Sequence, residues 1–184
     1  NGHAVLPHWL RTPPPRPRVC VTLGTTLMAQ SRGDGLFRDL LEGLSELDVE
    51  VVATLPTAEQ ERLGTVPPHT RLVDHTPLHT LAPTCDAMVD HGGWGTVLTA
   101  MDAGVPQVIV PHWFDNPMLA DMLAEEGAAI SLDHRSLTPE GTRAALGTLL
   151  SDTSYAERST RLSDSMHAMP SPDRLVRELT DLVG

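Results

Sequence analysis

Short apolar runs alternate along this chain with longer stretches in which apolar residues return every three or four positions. Val19-Cys20-Val21-Thr22-Leu23 is a continuous apolar run that Gly24-Thr25-Thr26 ends. Leu36, Leu40, Leu41, Leu44 and Leu47 follow at helical spacing. Val49 to Ala53 is a second β-branched run, and Leu72-Val73 predicts a short third strand after the Pro67-Pro68 turn. Asp86 to Val89, Val108 to Val110 and Ala129 to Leu132 predict three more strands. Helical patterns lie near Leu78–Ala82, Thr96–Ala103 and Met118–Glu126, and then over Ser154–Met169 and Pro172–Val183. Thr138-Pro139 marks another helix start, with threonine as N-cap and proline in the first turn. Gly104-Val105-Pro106 marks a helix end.

Alternating buried strands and helices imply an α/β fold, a Rossmann-like parallel sheet with helices on both faces. Such sheets bind ligands at the carboxyl ends of their strands. Gly24, Gly92–Gly95 and the loop His112–Asn116 all follow predicted strands, so they are expected to converge on one crevice. The stretch His91-Gly92-Gly93-Trp94-Gly95-Thr96 carries the most information. It runs from a strand into a helix, where free backbone N–H groups and the positive helix end suit an anion such as a phosphate. A purely structural strand-to-helix turn explains the glycines equally well. The stretch is not the dinucleotide fingerprint, because Leu98 stands where the third glycine belongs. It is not a P-loop either, because the chain has no lysine.

Composition narrows the classes. The chain has 184 residues, enough for one domain with a tail, and 40% hydrophobic residues, a normal share for a globular chain. A formal charge of −11 argues against nucleic acid and anionic membrane surfaces as partners. An anionic ligand then needs a local exception in this field. Asn1 to Pro17 carries five prolines yet also Val5, Leu6, Trp9 and Leu10. It reads as an arm packed on this domain or on another, with the domain itself over 18–184. Cys20 and Cys85 make no disulfide framework and no metal motif, which leaves buried thiols of a cytoplasmic protein. No apolar run approaches membrane-spanning length, and no signal peptide is visible. Asp115-Asn116 suits sugar hydroxyls, but the residues alone favour an N-cap for the helix near Pro117. The histidines show no metal-ligand spacing; His112, three residues before Asp115, is the one placed to edge a pocket there.

Asp74 to Asn116 resembles the donor-binding signature of inverting GT-B glycosyltransferases. The carrying residues are Pro77-Leu78, Pro83, the His91–Thr96 stretch, Gly104-Val105-Pro106-Gln107, Pro111 and Asp115-Asn116. The Val21–Thr25 segment resembles the first strand and loop of that family's C-terminal domain. The likeness is greatest to bacterial enzymes that attach deoxysugars to macrolides and related polyketides. It rests on the arm, on Arg16-Pro17-Arg18-Val19 and on Val73-Asp74-His75-Thr76-Pro77-Leu78.

The resemblance implies the C-terminal half of a GT-B fold that binds a nucleotide diphosphate sugar. His91, Gly93, Gly95 and Thr96 are then expected at the diphosphate, with Gly24 and Thr25 closing from the other side. His75, Pro77 and Leu78 are expected at the base, His75 standing where relatives carry a stacking aromatic. Trp94, Asp115 and Asn116 are expected at the sugar. Two departures bear on the donor. Thr99 replaces the glutamate that plant relatives use for the ribose diol, which favours a dTDP-sugar over a UDP-sugar. Asn116 replaces a frequent glutamine, and the shorter amide either reaches a sugar hydroxyl differently or leaves room for a deoxygenated position. The implied chemistry is metal-independent inverting transfer to a hydroxyl of a polyketide aglycone. No cofactor and no metal are expected, and no Asp-x-Asp motif occurs. The general base is expected in an N-terminal acceptor domain absent from this chain, so no catalytic residue is assigned here. A homodimer and an auxiliary activator protein are left open as partners. Two other readings stand beside this one: an enzyme resembling the nucleotide-sugar 2-epimerases, and a nucleotide-binding module without chemistry.

Overall fold

A computed structural model describes residues 7–24, 33–74 and 76–183. Its strands are β1 (Arg18–Thr22), β2 (Glu50–Thr54), β3 (Thr70–Val73), β4 (Ala87–Asp90), β5 (Gln107–Ile109) and β6 (Ala129–Ser131). They form one sheet in the order β3-β2-β1-β4-β5-β6. Every neighbouring pair is parallel. The helices are α1 (Gly33–Ser45), α2 (Thr57–Leu63), α3 (Leu78–Leu81), α4 (Trp94–Asp102), α5 (Asn116–Glu125), α6 (Pro139–Ser151), α7 (Thr153–His167) and α8 (Pro172–Val183). The chain winds outward from β1 in one direction and from β4 in the other. The crevice outside the carboxyl ends of those two strands is therefore the topological switch point, where such sheets bind ligands.

Continuous apolar strands follow from burial on both faces. Val19, Val21, Val51, Ala53, Ala87 and Val89 pack under Phe37, Leu40, Leu41 and Leu44 of α1 and Leu146 and Leu149 of α6. Cys20, Val52 and Met88 face the other way, toward Leu10, Leu81, Ala82, Ala100 and Val105. Beside them, Val97 and Ile109 meet Leu119, Ala120 and Leu123 of α5. Both cysteines are free, and burial raises the Cys85 thiol to about 12, which keeps it protonated and inert.

The arm packs on this domain. A single 3₁₀ turn, His8–Arg11, buries Leu10. The Trp9 ring lies between two guanidinium groups, Arg18 at 5.4 Å and Arg71 at 4.7 Å from its centroid. Arg18 is buried at the start of β1 and donates from Nε to Glu50 Oε2 at 2.8 Å. Its backbone N–H donates to Asp86 Oδ2 at 2.7 Å, which explains why Asp86 stands just outside the strand expected to include it.

Two further differences from the periodicity have plain causes. α2 was invisible because none of its residues is buried, so its sequence carries no apolar stripe. α4 starts at Trp94 rather than Thr96, because the glycine-rich turn itself forms the first turn of the helix. The expected cap of α6 is present, with Thr138 Oγ1 accepting from the Gly141 N–H at 3.1 Å.

β4 ends on a buried carboxyl. Asp90 lies in register with Thr22 of β1 and is 0% exposed. Its Oδ1 accepts from the Gly92 N–H at 2.7 Å, and its buried Oδ2 has no partner. Burial raises the carboxyl from 3.8 to about 7, with the Gly92 hydrogen bond opposing the rise. The folded state therefore holds this proton between about pH 4 and pH 7, where the unfolded chain has lost it. Stability falls as pH rises through that window.

Two outcomes follow from these contacts. Trp9→Ala is expected to cost about 2 kcal/mol, a fall in Tm of roughly 4–8 °C in thermal denaturation, while Trp9→Phe loses less. An unchanged Tm would show the arm to be energetically idle. Asp90→Asn keeps an acceptor for Gly92 but has no charge to bury. Urea titrations should find the variant more stable than the parent at pH 8, by on the order of 3 kcal/mol, and the advantage should shrink as pH falls and vanish below about pH 4. Identical pH profiles for the two proteins would refute the buried, protonated carboxyl.

Candidate functional site

The ends of β1 and β4 meet around one imidazole. His91 follows β4 directly, and its ring fills the gap between two glycines. A Cβ on Gly24 would lie 2.7 Å from His91 Cε1, and one on Gly93 would lie 2.5 Å from His91 Nε2. No side chain fits at either position. Gly24 and Gly92 also have positive φ, +68° and +82°, so the backbone itself asks for glycine there. The His91 carbonyl accepts from Asn116 Nδ2 at 2.9 Å, which ties the turn to the start of α5. The ring is held below its ordinary pKa, first by burial and then by the charge of His112, while the Thr22 backbone favours the proton. His91 Nδ1 is buried and makes no hydrogen bond of regular geometry.

An open cavity of about 220 Å³ lies beside this histidine. Gly24 and Thr96 line it together with Pro77 and Leu78, Thr22 and Thr54. Two of the residues expected at the diphosphate, Gly24 and Thr96, thus share one cavity with two expected at the base, Pro77 and Leu78. No side chain caps α4 at Gly93, and the Thr96 N–H is already bonded to the Gly93 carbonyl. The N–H groups of Trp94 and Gly95 are the ones left for an anion. A Cβ on Gly95 would meet nothing within 4 Å. Two expected residues, Thr25 and His75, lie outside the described residues.

The three residues expected at the sugar divide. Trp94 is 44% exposed, and its Nε1 donates to Asp115 Oδ2. Asp115 precedes α5 but its side chain makes no cap hydrogen bond, so the cap that the residues alone favoured is not formed. Both residues are exposed, and neither lines the cavity. Asn116 is 8% exposed, and its amide N–H is committed to the His91 carbonyl. It holds the turn after β4 rather than standing open beside Asp115. Between them and β5, Phe114 is 98% exposed with φ of +51°.

Sequence reasoning missed several members. Asp90 fixes Gly92 and hence the turn that presents His91; the signal was a lone carboxylate closing an otherwise apolar strand. His134 carries no signal in the sequence beyond its lack of metal-ligand spacing. Its ring stacks on His112, with centroids 4.2 Å apart and planes at 26°. Thr22, read as part of the first apolar run, and Thr54, one residue past the second run as read, both sit at strand ends that open into the cavity. Among the described residues no group of His, Cys, Asp and Glu could hold a metal ion, and no helix is long and apolar enough to cross a membrane.

Comparison with known proteins agrees with this geometry. The family described as erythromycin biosynthesis protein CIII-like, C-terminal domain, matches residues 38–182. The 10-deoxymethynolide desosaminyltransferase of Streptomyces venezuelae is 42% identical over 100% of this chain and 43% of its own length. The aklavinone 7-beta-L-rhodosaminyltransferase of Streptomyces galilaeus is 43% identical over 100% of this chain and 42% of its own. Among solved structures, the glycosyltransferase VinC in complex with dTDP superimposes with a TM-score of 0.86 and 40% identity, over 98% of this chain and 45% of that one. The spinosyn forosaminyltransferase SpnP gives 0.88 and 38%, over 100% and 48%. The chain thus spans less than half the length of each of these relatives. It belongs to the family of erythromycin biosynthesis protein CIII-like C-terminal domains, carried on the Rossmann-like sheet of GT-B glycosyltransferases.

Proposed function

We propose that this chain binds the nucleotide diphosphate of a dTDP-deoxysugar, and that it serves metal-independent, inverting transfer of that sugar to a hydroxyl of a polyketide aglycone. The observation that carries the reading is the His91 imidazole wedged between Gly24 and Gly93 at the switch point. The relatives' names supply the sugar and aglycone classes, and the dTDP bound to VinC supports the nucleotide.

In this reading the diphosphate lies against His91 and the N–H groups of Trp94 and Gly95, with the Thr96 hydroxyl as a further donor. Gly24 and Thr25 cover its other side. The base occupies the cavity end at Pro77 and Leu78, under His75. Trp94 and Asp115 face the sugar, and Asn116 acts by holding the His91 backbone. The acceptor hydroxyl attacks the anomeric carbon opposite the leaving group, the bond to the diphosphate breaks, and the configuration inverts. Charge builds on the leaving oxygen as that bond breaks. Donors already fixed around it stabilise the transition state more than the ground state. The acceptor site and the base that takes its proton are assigned to the part of the relatives that this chain does not match.

Calorimetry with dTDP and UDP tests the reading on the chain itself. His91→Ala is expected to weaken dTDP binding by about 10- to 100-fold, the worth of a hydrogen bond to a charged group. Gly95→Ala is the sharper probe. Its Cβ meets no protein atom, so Tm should hold or rise, yet the methyl enters the space assigned to the diphosphate and dTDP binding should weaken. Undiminished dTDP binding by both variants would remove the diphosphate from this turn. Sugar transfer to an aglycone by the chain alone would refute the outside base.

A further inference from the structure

Three adjacent parallel strands each send a histidine to the same edge of the sheet. His91 follows β4, His112 lies just beyond β5, and His134 just beyond β6. His112 Nδ1 donates to the Val110 carbonyl at 2.9 Å, and His134 Nδ1 donates to the Pro111 carbonyl at 2.8 Å. A carbonyl can only accept, so these bonds fix both tautomers. Each neutral ring presents a bare lone pair at Nε2, and a second proton must go there. The edge of Trp113 closes one side of His112, at 5.9 Å between centroids.

We propose that His112 and His134 act as a coupled pair that takes up one proton when a diphosphate enters the cleft, supplying a cation beside His91 that the empty site does not hold. The inference rests on the diphosphate reading above. Two imidazolium ions 4.2 Å apart would repel by about 4 kcal/mol at an effective dielectric constant of 20, so the stack holds one proton rather than two. Among the described residues three charged or titratable groups bear on the pair. His91 opposes a charge on His112 from the end of β4. Asp133 Oδ1 lies 3.7 Å from His134 Nδ1. Asp115 shares the loop of His112 but is bonded to Trp94. Burial, and after it the neighbouring His134, hold the His112 ring below its ordinary pKa, while the bond to the Val110 carbonyl favours the proton. An incoming dianion reverses the sign of the local field. The stack lets the charge settle on either ring, so His134 is a positioning residue and His112 the one nearer the ligand.

The probes are inorganic pyrophosphate and dTDP, bound to the whole chain in buffers of different ionisation enthalpy, which counts protons taken up. The parent should take up more protons than His112→Asn, whose amide can still donate to the Val110 carbonyl. Its pyrophosphate affinity should fall between pH 6.5 and 7.5 by up to about tenfold more than the variant's, the equivalent of one proton. His134→Asn should lie between. Histidine ring NMR of the parent needs no variant to fold: on adding pyrophosphate the His112 and His134 resonances should move together, to higher titration midpoints. Equal proton uptake by parent and variants, or ring signals that ignore pyrophosphate while it binds, would overturn the pair. Failure of the parent to bind pyrophosphate or dTDP at all would instead overturn the diphosphate reading, and the pair with it.

Discussion

The site depends on one steric constraint: the His91 ring occupies the only space where a side chain on Gly24 or Gly93 could go. Two segments distant in sequence are locked by it. Gly24 at the end of β1 and the turn that leads from β4 into α4 must close on the imidazole together, because neither can move in without displacing it. Packed interiors tolerate little slack, so the ring is placed by exclusion as much as by hydrogen bonds. This explains why glycine recurs in the turn without a phosphate-loop or dinucleotide spacing. The glycines make room for a side chain first and for a ligand second.

Beneath that ring the protein accepts an electrostatic cost. Asp90 is sealed in the sheet with one oxygen on the Gly92 N–H and the other unpartnered. A small apolar residue would pack there more cheaply, but it could not hold the Gly92 N–H. Gly92 lies at φ +82°, and a Cβ on it would crowd Asn116 and Ile109 at 3.1 Å. Asp90 grips the turn from below while Asn116 grips it from the α5 side through the His91 carbonyl. The two polar side chains fix the backbone on both flanks of the histidine, so its ring arrives at the cleft already oriented. That is the form of preorganisation that an anion site in a low-dielectric crevice requires.

The sheet, its parallel sense and the crevice were readable because burial leaves a pattern. Continuous apolar strands and helical leucine spacing record it directly, and Thr138 announced its helix by chemistry. What was not readable lacked such a trace. α2 buries nothing and so has no stripe. The Asp115-Asn116 pair was ambiguous because capping and ligand binding ask for the same residue types; only the side-chain partners separate them. The family resemblance identified His91 and the neighbouring glycines, but it could not show that Asn116 turns inward. His134 was beyond reach for a different reason. Its partner His112 lies 22 positions away, and only the β5–β6 pairing brings their two loops together.

The charge balance of the chain gives this arrangement its sense. With a formal charge of −11, the surface as a whole repels a nucleotide diphosphate. The described lining of the cavity carries no arginine, and the buried guanidinium of Arg18 serves the Trp9 arm at the start of β1 instead. Among the described residues near the turn, the groups suited to an anion are the amide dipoles at the start of α4 and the imidazoles of His91 and His112. A fixed cation would hold the released nucleotide as firmly as the donor sugar. In the proposed reading, a histidine whose proton is bound only while the diphosphate is present strengthens as charge develops on the leaving group and weakens once the product departs. Burial, which lowers the basicity of His91 and His112, is what would make that charge conditional.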